Sequence, residues 1–410
     1  MLNISAVARG AGFRTAVGAV GAVASLLATT PALEAQAPDT VAARLLAPGL
    51  AYRQFIDRRG PWIVSLVRVD LRRADLELRH ARAHDSLRGR ERTSAMARRA
   101  GADGARVLAA VNADFFDLKS GENENNQVVA GEWWKGLKVT DSPYDTYDNA
   151  HAQFALDSAR RPSIDRFLFD GRAWVHGVMT PILTLNAVPT GTYEGTALFT
   201  ARYGATTPHD TTRQAAEVTL TAAGHRGDTT LYVRRGAVSA TSGSPIPRDG
   251  AVLAAYGARM KEVQAIADGD TVRVLLATLP RLARGRSPAL LVGGWPRLLR
   301  DGRNVAGDAP IVEGTISRNA ETRHPRTAIG FSRDSTTLYV LAVDGRSAKS
   351  VGMTLVELAD LMRRLGAWQA LNFDGGGSTT MVIDGAIVNA PSDTTGEREV
   401  GDALLVLRKR

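Results

Sequence analysis

The sequence contains no cysteine, and only six of its 51 basic residues are lysine. Without thiols the chain cannot form disulfide bonds, use a cysteine nucleophile or bind a metal through thiolates. Long runs of one charge sign are also missing, because the arginines are interspersed with aspartate and glutamate. The net charge of +9 therefore does not by itself predict a polyanionic partner. No helix-turn-helix, zinc-finger or aromatic RNA-binding pattern is present, and we expect no nucleic-acid binding.

Several common catalytic motifs are absent as well. The seven histidines form neither an HxH nor an HExxH pattern, so the usual histidine zinc motifs are not predicted. The sequence has no G-x-S-x-G elbow, which argues against a serine triad. His80 and His84 lie four residues apart in an arginine-rich segment, and we expect both at the surface.

The N-terminal segment has the features of an export signal. Arg9 and Arg14 precede an apolar run of small residues, which ends in an Ala35-x-Ala37 pattern that resembles a signal-peptidase site. The most apolar part, residues 16–28, is shorter than the ~20 residues that a membrane-spanning helix needs. We therefore predict a signal peptide over residues 1–37, a secreted or periplasmic protein, and no membrane span in the mature chain.

The remaining residues, 38–410, are predicted to form one domain with a β-rich segment at about 185–280. Short β-type runs divided by turn residues fill that segment. Elsewhere, "TSAMARRAGADG" and "TLVELADLMRRLG" have helical periodicity, and Thr354 and Glu357 are spaced as a capping box. We predict an α+β fold with a mixed, largely β core and a few flanking helices.

Polar residues directly follow three apolar runs, which read "VNAD", "LAVDGR" and "LNFDGGGS". The predicted strands thus end at or just before Asn112, Asp344 and Asp374. Ligands in α/β architectures bind beyond the carboxyl ends of strands, so we expect these polar residues to share a site. In contrast, the polar stretch "GENENNQVVAGEWWKG" is expected to be a solvated loop.

Residues 374–378, "DGGGS", leave two interpretations open. Three successive glycines are typical of a plain hairpin turn, and also of a loop where a ligand touches the main chain. Asp374 fits a turn cap, an acid or base, a nucleophile or a metal ligand. Arg326, in "RHPRTAIG", has the guanidinium fork that binds phosphate or carboxylate groups.

The segments "RHPRTAIGF", "VLAVDGRS", "GMTLVELADLMRRLGAWQALNFDGGGSTTMVIDG" and "REVGDALLV" resemble the phosphodiester glycosidase family in order and spacing. Looser similarity extends to "AVNADFFDLKSGE" and "VGGWPRLLRDG", although Asp114 stands where the family generally has glycine. Arg398 matches a late arginine of the family. The resemblance implies a polar pocket built from Asn112, Glu122, Arg326, Thr327, Asp344, Asn372, Asp374, Gly375, Gly376 and Ser378.

The activity that this resemblance implies is hydrolysis of a sugar-1-phosphodiester, such as a diester of N-acetylglucosamine-1-phosphate, at its glycosidic bond. Asp374 is the first candidate for the catalytic carboxylate, with Glu122 and Asp344 as further candidates, and Arg326 is the candidate for the phosphate. No cofactor is required by the sequence. Two alternatives remain at this point: a phosphodiesterase in which Asp344 and Asp374 hold calcium or magnesium, and a non-catalytic protein that binds cell-surface glycans.

Overall fold

The structure, a computed structural model, describes residues 39–102, 104–138, 151–189, 195–314 and 322–409. The predicted signal peptide over residues 1–37 lies outside these residues. Most of the described residues lie in β-strands, and the helices are few and short. In the part of the chain described, the predicted largely β core is therefore confirmed. The label α+β fits only loosely, because the four α-helices found among the described residues cover so few of them.

The strands are numbered in chain order. The first fourteen are β1 (Asp39–Ala47), β2 (Leu50–Asp57), β3 (Trp62–Asp70), β4 (Leu76–Arg82), β5 (Glu91–Arg92), β6 (Arg106–Asn112), β7 (Gln127–Val129), β8 (Glu132–Leu137), β9 (Gln153–Asp157), β10 (Pro162–Asp165), β11 (Leu168–Val175), β12 (Val178–Ile182), β13 (Thr184–Leu185) and β14 (Thr196–Thr200). The others are β15 (Ala215–Arg226), β16 (Thr229–Ser239), β17 (Gly250–Tyr256), β18 (Thr271–Leu279), β19 (Pro288–Gly293), β20 (Arg297–Arg300), β21 (Arg303–Asn304), β22 (Arg326–Phe331), β23 (Thr337–Val343), β24 (Gln369–Asn372), β25 (Met381–Ile383), β26 (Ala386–Ile387), β27 (Glu399–Val400) and β28 (Asp402–Arg408). The helices are α1 (Thr93–Ala102), α2 (Met260–Gln264), α3 (Ala309–Val312) and α4 (Leu355–Arg364).

Three large sheets organise these strands. An eight-stranded sheet has the order β1-β2-β3-β23-β22-β24-β20-β21, and a five-stranded sheet has the order β26-β25-β6-β28-β4. A thirteen-stranded sheet has the order β10-β9-β19-β7-β8-β13-β14-β17-β15-β16-β18-β11-β12. β13 to β18, which lie in the segment predicted to be β-rich at about 185–280, all belong to this last sheet.

The eight- and five-stranded sheets pack face to face around one hydrophobic core. Leu371 of the first sheet and Leu404 of the second are buried in that core. Along β28, Leu404 and Val406 face it, while Leu405 and Leu407 lie in a separate cluster with Met96 of α1. Successive strand residues point to opposite faces, so a fully apolar strand such as β28 must be covered on both sides. α1 supplies the outer cover.

Helix α4 covers the outer face of the eight-stranded sheet. Its apolar residues, Leu355, Leu358, Leu361 and Met362, are buried against that face. The helix begins as predicted: the Thr354 hydroxyl accepts a hydrogen bond from the Glu357 amide, and the Glu357 carboxylate accepts one from the Thr354 amide. β23 and β24, which flank α4 in sequence, run parallel with β22 antiparallel between them. β23, α4 and β24 thus form a parallel crossover unit, which brings the ends of β23 and β24 to one edge.

Two expectations about exposure are wrong. His80 is 1% exposed, because its neighbours on β4 and β28 enclose it. In the polar stretch after Gly121, Asn123, Asn125, Asn126 and Gln127 are all buried. Both segments lie where the five- and thirteen-stranded sheets adjoin, which the local sequence does not reveal. Within the described ranges, no helix has the length and apolarity needed to cross a membrane.

Replacing Thr354 with alanine removes the cap of α4 and leaves the Glu357 amide without its side-chain acceptor. We expect the free energy of unfolding to fall by about 1 kcal/mol, measured by urea denaturation. Thr211→Ala, at an exposed loop position, serves as the control and should change stability little. Equal stability of Thr354→Ala and the parent protein would contradict this account of the cap.

Candidate active site

The candidate site lies where the edges of two sheets meet. β22 and β24 pair antiparallel with Ala328 opposite Asn372, so the start of β22 lies beside the end of β24. The Phe373 amide continues this pairing by donating to the Thr327 carbonyl at 2.8 Å. The next amide, that of Asp374, turns away and donates to the Ala113 carbonyl at the end of β6, also at 2.8 Å. The backbone at Asp374 therefore joins the eight-stranded to the five-stranded sheet.

Asn112 holds this junction together. Its Nδ2 donates to the Asp374 carbonyl at 2.7 Å, and its Oδ1 accepts from the Thr327 hydroxyl at 2.7 Å and from the Thr380 amide at 3.1 Å. Asn112 is 1% exposed, and both its amide nitrogen and its amide oxygen are engaged by protein groups. Asn112 and Thr327, both predicted as substrate-binding, instead position the segment that carries Asp374.

Asp374 is half-buried, and its Oδ1 accepts a hydrogen bond from the Gly375 amide at 2.8 Å. Burial raises the pKa of Asp374 to about 6, although Ser378 and the positive charge of Arg398 oppose that shift. The nearby Asp402 adds to the increase in pKa. Asp374 can thus gain or lose a proton near neutral pH, as a catalytic carboxyl group requires.

Each of the three glycines leaves room for a different neighbour. A Cβ at Gly375 would lie 2.7 Å from the Pro325 carbonyl oxygen, and one at Gly376 would lie 2.9 Å from Nη2 of Arg346. A Cβ at Gly377 would overlap Asp393 and Arg398. Gly376 also has a φ of +60°, which other residues rarely adopt. The glycines are therefore needed because backbone and arginine side chains approach the loop, which a plain hairpin turn would not require.

A pocket of about 150 Å³ opens in front of this loop. Its walls combine aromatic rings, cationic side chains, an amide, a carboxyl group and the glycine backbone. The lining residues are Phe115, Trp295, His324, Arg326, Arg346, Asn372, Asp374, Gly375, Gly376, Gly377 and Arg398. Among the residues that the structure describes, Asp374 is thus the one carboxylate in the wall, and it faces three arginines.

The three arginines differ in how they are held. Arg326 is 6% exposed, and it donates to the carbonyls of Met353 at 2.9 Å and Thr322 at 2.8 Å. Burial lowers the pKa of Arg326 to about 10, so it stays charged at neutral pH. Arg398 forms a two-pronged salt bridge to Asp393, with distances of 2.7 and 3.1 Å. Its Nη1 also lies 3.4 Å from the Ser378 hydroxyl, so Ser378 links Arg398 to the Asp374 segment.

Asn372 contributes an unused acceptor to the pocket wall. Its Nδ2 donates to the Trp295 carbonyl at 2.6 Å, which fixes the orientation of the amide. Its Oδ1 is buried and accepts no hydrogen bond from the described residues. A buried acceptor without a donor is costly, so this oxygen is suited to accept from a ligand hydroxyl.

Comparison with known proteins identifies the family that this site resembles. Residues 221–407 match the phosphodiester glycosidase family. The resemblance predicted from the sequence is therefore confirmed. The matched range includes the glycine loop, Arg326, Arg346 and Asp374, whereas Asn112 and Phe115 precede it.

Two curated relatives and one solved structure show the reach of this similarity. A prophage-derived uncharacterized protein of Bacillus subtilis is 32% identical over 125 residues, which is 30% of this chain and 18% of the relative. The mouse N-acetylglucosamine-1-phosphodiester α-N-acetylglucosaminidase is 31% identical over 110 residues, which is 25% of this chain and 21% of the mouse protein. The chain thus matches about a fifth of the length of these relatives. A crystal structure from Burkholderia pseudomallei superposes with a TM-score of 0.62 at 26% identity, covering 85% of this chain and 74% of that one.

Two of the predicted catalytic residues, Glu122 and Asp344, do not line the pocket. Glu122 forms salt bridges with Lys135 at 2.8 Å and with Arg88 at 3.2 Å. Burial raises the pKa of Glu122, but these two cations outweigh it, and the pKa falls below its usual value. Asp344 accepts a hydrogen bond from the Ala390 amide at 2.9 Å, and burial raises its pKa. Its contacts hold the loop that follows β26.

A buried polar network lies behind the Asp374 segment. His80 contacts the Asp402 carboxylate at 2.7 Å, with both side chains fully buried, and Asp402 also accepts from the Asp114 amide at 2.9 Å. The Asp114 carboxyl group accepts from Asn125 at 2.7 Å, and burial together with Asp402 raises its pKa well above the ordinary value. Asp114 therefore occupies the family's glycine position as part of the packing behind the pocket, outside its wall.

Sequence reasoning missed several wall residues. Phe115, Trp295, His324, Arg346 and Gly377 all line the pocket but were not selected. Arg346 directly follows Asp344-Gly345 in the segment "LAVDGR", so its position beside a predicted strand end was the available signal. The structure also contains a larger cavity of about 570 Å³, which α2 and the β11–β12 hairpin enclose. Since that cavity contains none of the predicted site residues, we assign the site to the smaller, charged pocket.

Asp374→Asn should raise stability at neutral pH. The pKa of about 6 in the folded protein exceeds the ordinary value of 3.8. Protonated Asp374 therefore contributes fully to folding stability below pH ~4, and this contribution is lost as the pH rises through about 6. Asparagine keeps the acceptor for Gly375 and carries no charge. We expect the variant to gain about 1–3 kcal/mol relative to the parent between pH 4 and pH 7, measured by thermal denaturation.

The control for this stability measurement is Asp334→Asn, for which we expect the opposite dependence of stability on pH. Hydrogen bonds from Ser332 and Thr336 lower the pKa of the exposed Asp334, so its contribution is lost as the pH falls. Asp334→Asn should therefore lose stability relative to the parent as the pH rises. If the stabilities of the parent protein and Asp374→Asn instead change in parallel with pH, burial does not disfavour the ionised form of Asp374, and the prediction is wrong.

Proposed function

We propose that this chain is an exported hydrolase that cleaves the glycosidic bond of a sugar-1-phosphodiester, releasing free sugar and a phosphomonoester. The substrate class is N-acetylglucosamine-1-phosphate diesters and related compounds. The family match and the name of the mouse relative support the reaction class and the sugar. The N-terminal sequence supports export, and the cell-surface glycans of the organism are the expected source of substrate.

The observation that carries this proposal is the composition of the pocket wall. One carboxyl group, that of Asp374, faces the guanidinium groups of Arg326, Arg346 and Arg398 in the described part of the chain. Most glycosidases use two carboxyl groups, because an alcohol leaving group must be protonated by the second. A phosphomonoester is weakly basic and departs as an anion, so it needs cations more than it needs an acid.

The reaction balances with these groups. A water oxygen bonds to the anomeric carbon, the bond from that carbon to the phosphate oxygen breaks, and the bonding electrons leave with the phosphomonoester. In one route, ionised Asp374 takes the proton from the water as the water attacks. In the other, Asp374 attacks the anomeric carbon and expels the phosphomonoester to form a glycosyl ester; water then hydrolyses this ester, which frees the sugar and the ionised carboxylate and releases one proton to solvent. The first route inverts and the second retains the anomeric configuration, so NMR of the first-formed sugar assigns the role.

The remaining wall suits a sugar. Phe115 and Trp295 offer apolar ring surface, and the unused Oδ1 of Asn372 offers an acceptor for a hydroxyl group. Protein sites for small molecules commonly combine apolar walls with a few fixed polar groups. This arrangement supports placing the sugar against Phe115, Trp295 and Asn372, with the phosphate towards the arginines.

The alternative of a phosphodiesterase that cuts the P–O bond paired Asp344 with Asp374 around a divalent cation. Asp344 does not line the pocket and is bonded to the Ala390 amide. Among the residues described, no group of three or more histidine, aspartate or glutamate side chains is placed to hold a metal ion. The two carboxylates therefore do not form the shared site that this alternative assumed.

Hydrolysis in ¹⁸O-labelled water distinguishes the two reactions. We expect the label in the sugar, because water attacks the anomeric carbon, with mass spectrometry as the measurement. Label in the phosphomonoester would instead support cleavage of the P–O bond. Binding of the sugar phosphodiester without any turnover would favour the third alternative, a glycan-binding protein.

Asp374→Asn should reduce turnover of the sugar phosphodiester by about 10²–10⁴-fold, because the amide can neither accept a proton nor attack carbon. The assay measures release of free sugar. Asp384→Asn, the same change at an exposed turn outside the pocket, is the matched control and should keep full activity. Near-normal turnover by folded Asp374→Asn would overturn the assignment of this carboxylate.

The pH profile provides a separate check. If ionised Asp374 is the reactive form, kcat/KM should rise with pH to a plateau above about 6, the pKa of this group. Arg398 lowers that pKa, so Arg398→Gln should move the rise to higher pH. A profile that falls through this range would mean that the protonated form acts, and would contradict the role proposed for the carboxylate.

A further inference from the structure

The sequence singled out Arg326 for the phosphate, but the hydrogen bonds of the pocket arginines favour a different residue. Arg326 is buried, and two of its donors are engaged by the backbone carbonyls of Met353 and Thr322. Those contacts anchor β22 to the segment before α4. Arg398 is neutralised in part by its salt bridge with Asp393. Neither side chain can turn its full donor set to a ligand without breaking contacts that hold the site.

Arg346 is held differently. Its side chain is exposed in the pocket wall, and its partners are two neutral groups: Nη1 donates to the Ser392 hydroxyl at 3.2 Å and Nη2 to Nδ1 of His324 at 3.2 Å. Within the ranges that the structure describes, no carboxylate forms a salt bridge with Arg346. A guanidinium that faces a pocket without an acidic partner has a charge available for an anionic ligand.

The backbone and its neighbours fix Arg346 in this position. The residue has a φ of +59°, a conformation that costs free energy for a non-glycine residue. Since arginine can only donate, Nδ1 of His324 must accept, and its Nε2–H then donates to the Thr322 hydroxyl at 2.7 Å. The guanidinium consequently lies directly above Gly376.

We propose that Arg346 is the residue that recognises the phosphate group, and that this contact also makes the pocket bind inorganic phosphate and phosphomonoesters. Arg326 then holds the pocket wall in place and adds positive charge to the pocket. This inference rests on the proposed function for its substrate. Its consequence is regulatory: the phosphomonoester product competes with the phosphodiester, and it does so more strongly when it carries two negative charges. Phosphate in the surroundings would therefore slow the enzyme.

Isothermal titration calorimetry with inorganic phosphate tests the proposal on the full chain, at constant ionic strength and at pH 8. The parent protein should bind phosphate. Arg346→Gln should raise the Kd for phosphate by about 10-fold or more, since a hydrogen bond to a charged group contributes about 1.5–3 kcal/mol. Arg346→Lys should fall between the two, because lysine keeps the charge but loses the planar fork.

The control variant is Arg300→Gln, which removes the same charge from an exposed arginine near the opposite end of β24. It should bind phosphate as the parent does. Equal phosphate affinity of the parent and Arg346→Gln, or no phosphate binding by the parent at millimolar concentration, would overturn the proposal. Should Arg346→Gln not fold, the comparison of the parent with Arg346→Lys decides the question.

The proposed function fails in a distinguishable way. A parent protein that binds phosphate through Arg346 but hydrolyses no sugar phosphodiester refutes the proposed reaction and leaves the anion site standing. A parent protein that hydrolyses the diester with equal KM before and after Arg346→Gln supports the reaction and refutes the role of Arg346. Competitive inhibition by phosphate, lost in Arg346→Gln, supports both.

Discussion

The Asn112 amide is the contact on which the rest of the site depends. It joins the end of β6 to the Thr327 hydroxyl, the Thr380 amide and the Asp374 carbonyl. These groups belong to two different sheets, so this one side chain sets where the sheet edges meet. A buried polar group is stabilising only when all its partners are in place, which makes the junction specific. The carboxyl group of Asp374 and the glycine loop take their positions from it.

The two sheets and the buried network behind them together decide the chemistry of Asp374. Burial raises its pKa to about 6, while Arg398 and Ser378 limit the increase. The network of His80, Asp402 and Asp114 fills the space behind the loop with hydrogen-bonded groups. The site thus combines a carboxyl group that titrates near neutral pH with an excess of fixed positive charge. That combination suits a negatively charged substrate whose leaving group needs no proton.

Much of the fold was predictable from local patterns. The capping box at Thr354 and the apolar stripe of α4 are properties of consecutive residues, and both are present. The strand end at Asn112 followed from an apolar run that stops at a polar residue, whereas the strand predicted to reach Asp374 ends two residues earlier, at Asn372. Burial was harder to predict, because it depends on what packs against a segment. His80 and Asn125 are polar residues in polar stretches, yet the junction of two sheets encloses both. Glu122 was a candidate through the family resemblance, but Lys135 of β8 forms a salt bridge with it.

The sequence by itself determined the largely β core, the capped helix α4 and the family resemblance. Each of these rests on neighbouring residues or on motif order, which the chain carries without folding. Only the tertiary structure decided which arginine is available for a ligand. The three pocket arginines are the same residue type in the sequence, but their partners in the structure differ. Arg326 contacts backbone carbonyls, Arg346 contacts neutral side chains, and Arg398 contacts the Asp393 carboxylate. Those partners come from distant parts of the chain, so their effect on charge and donor availability arises only when the sheets pack.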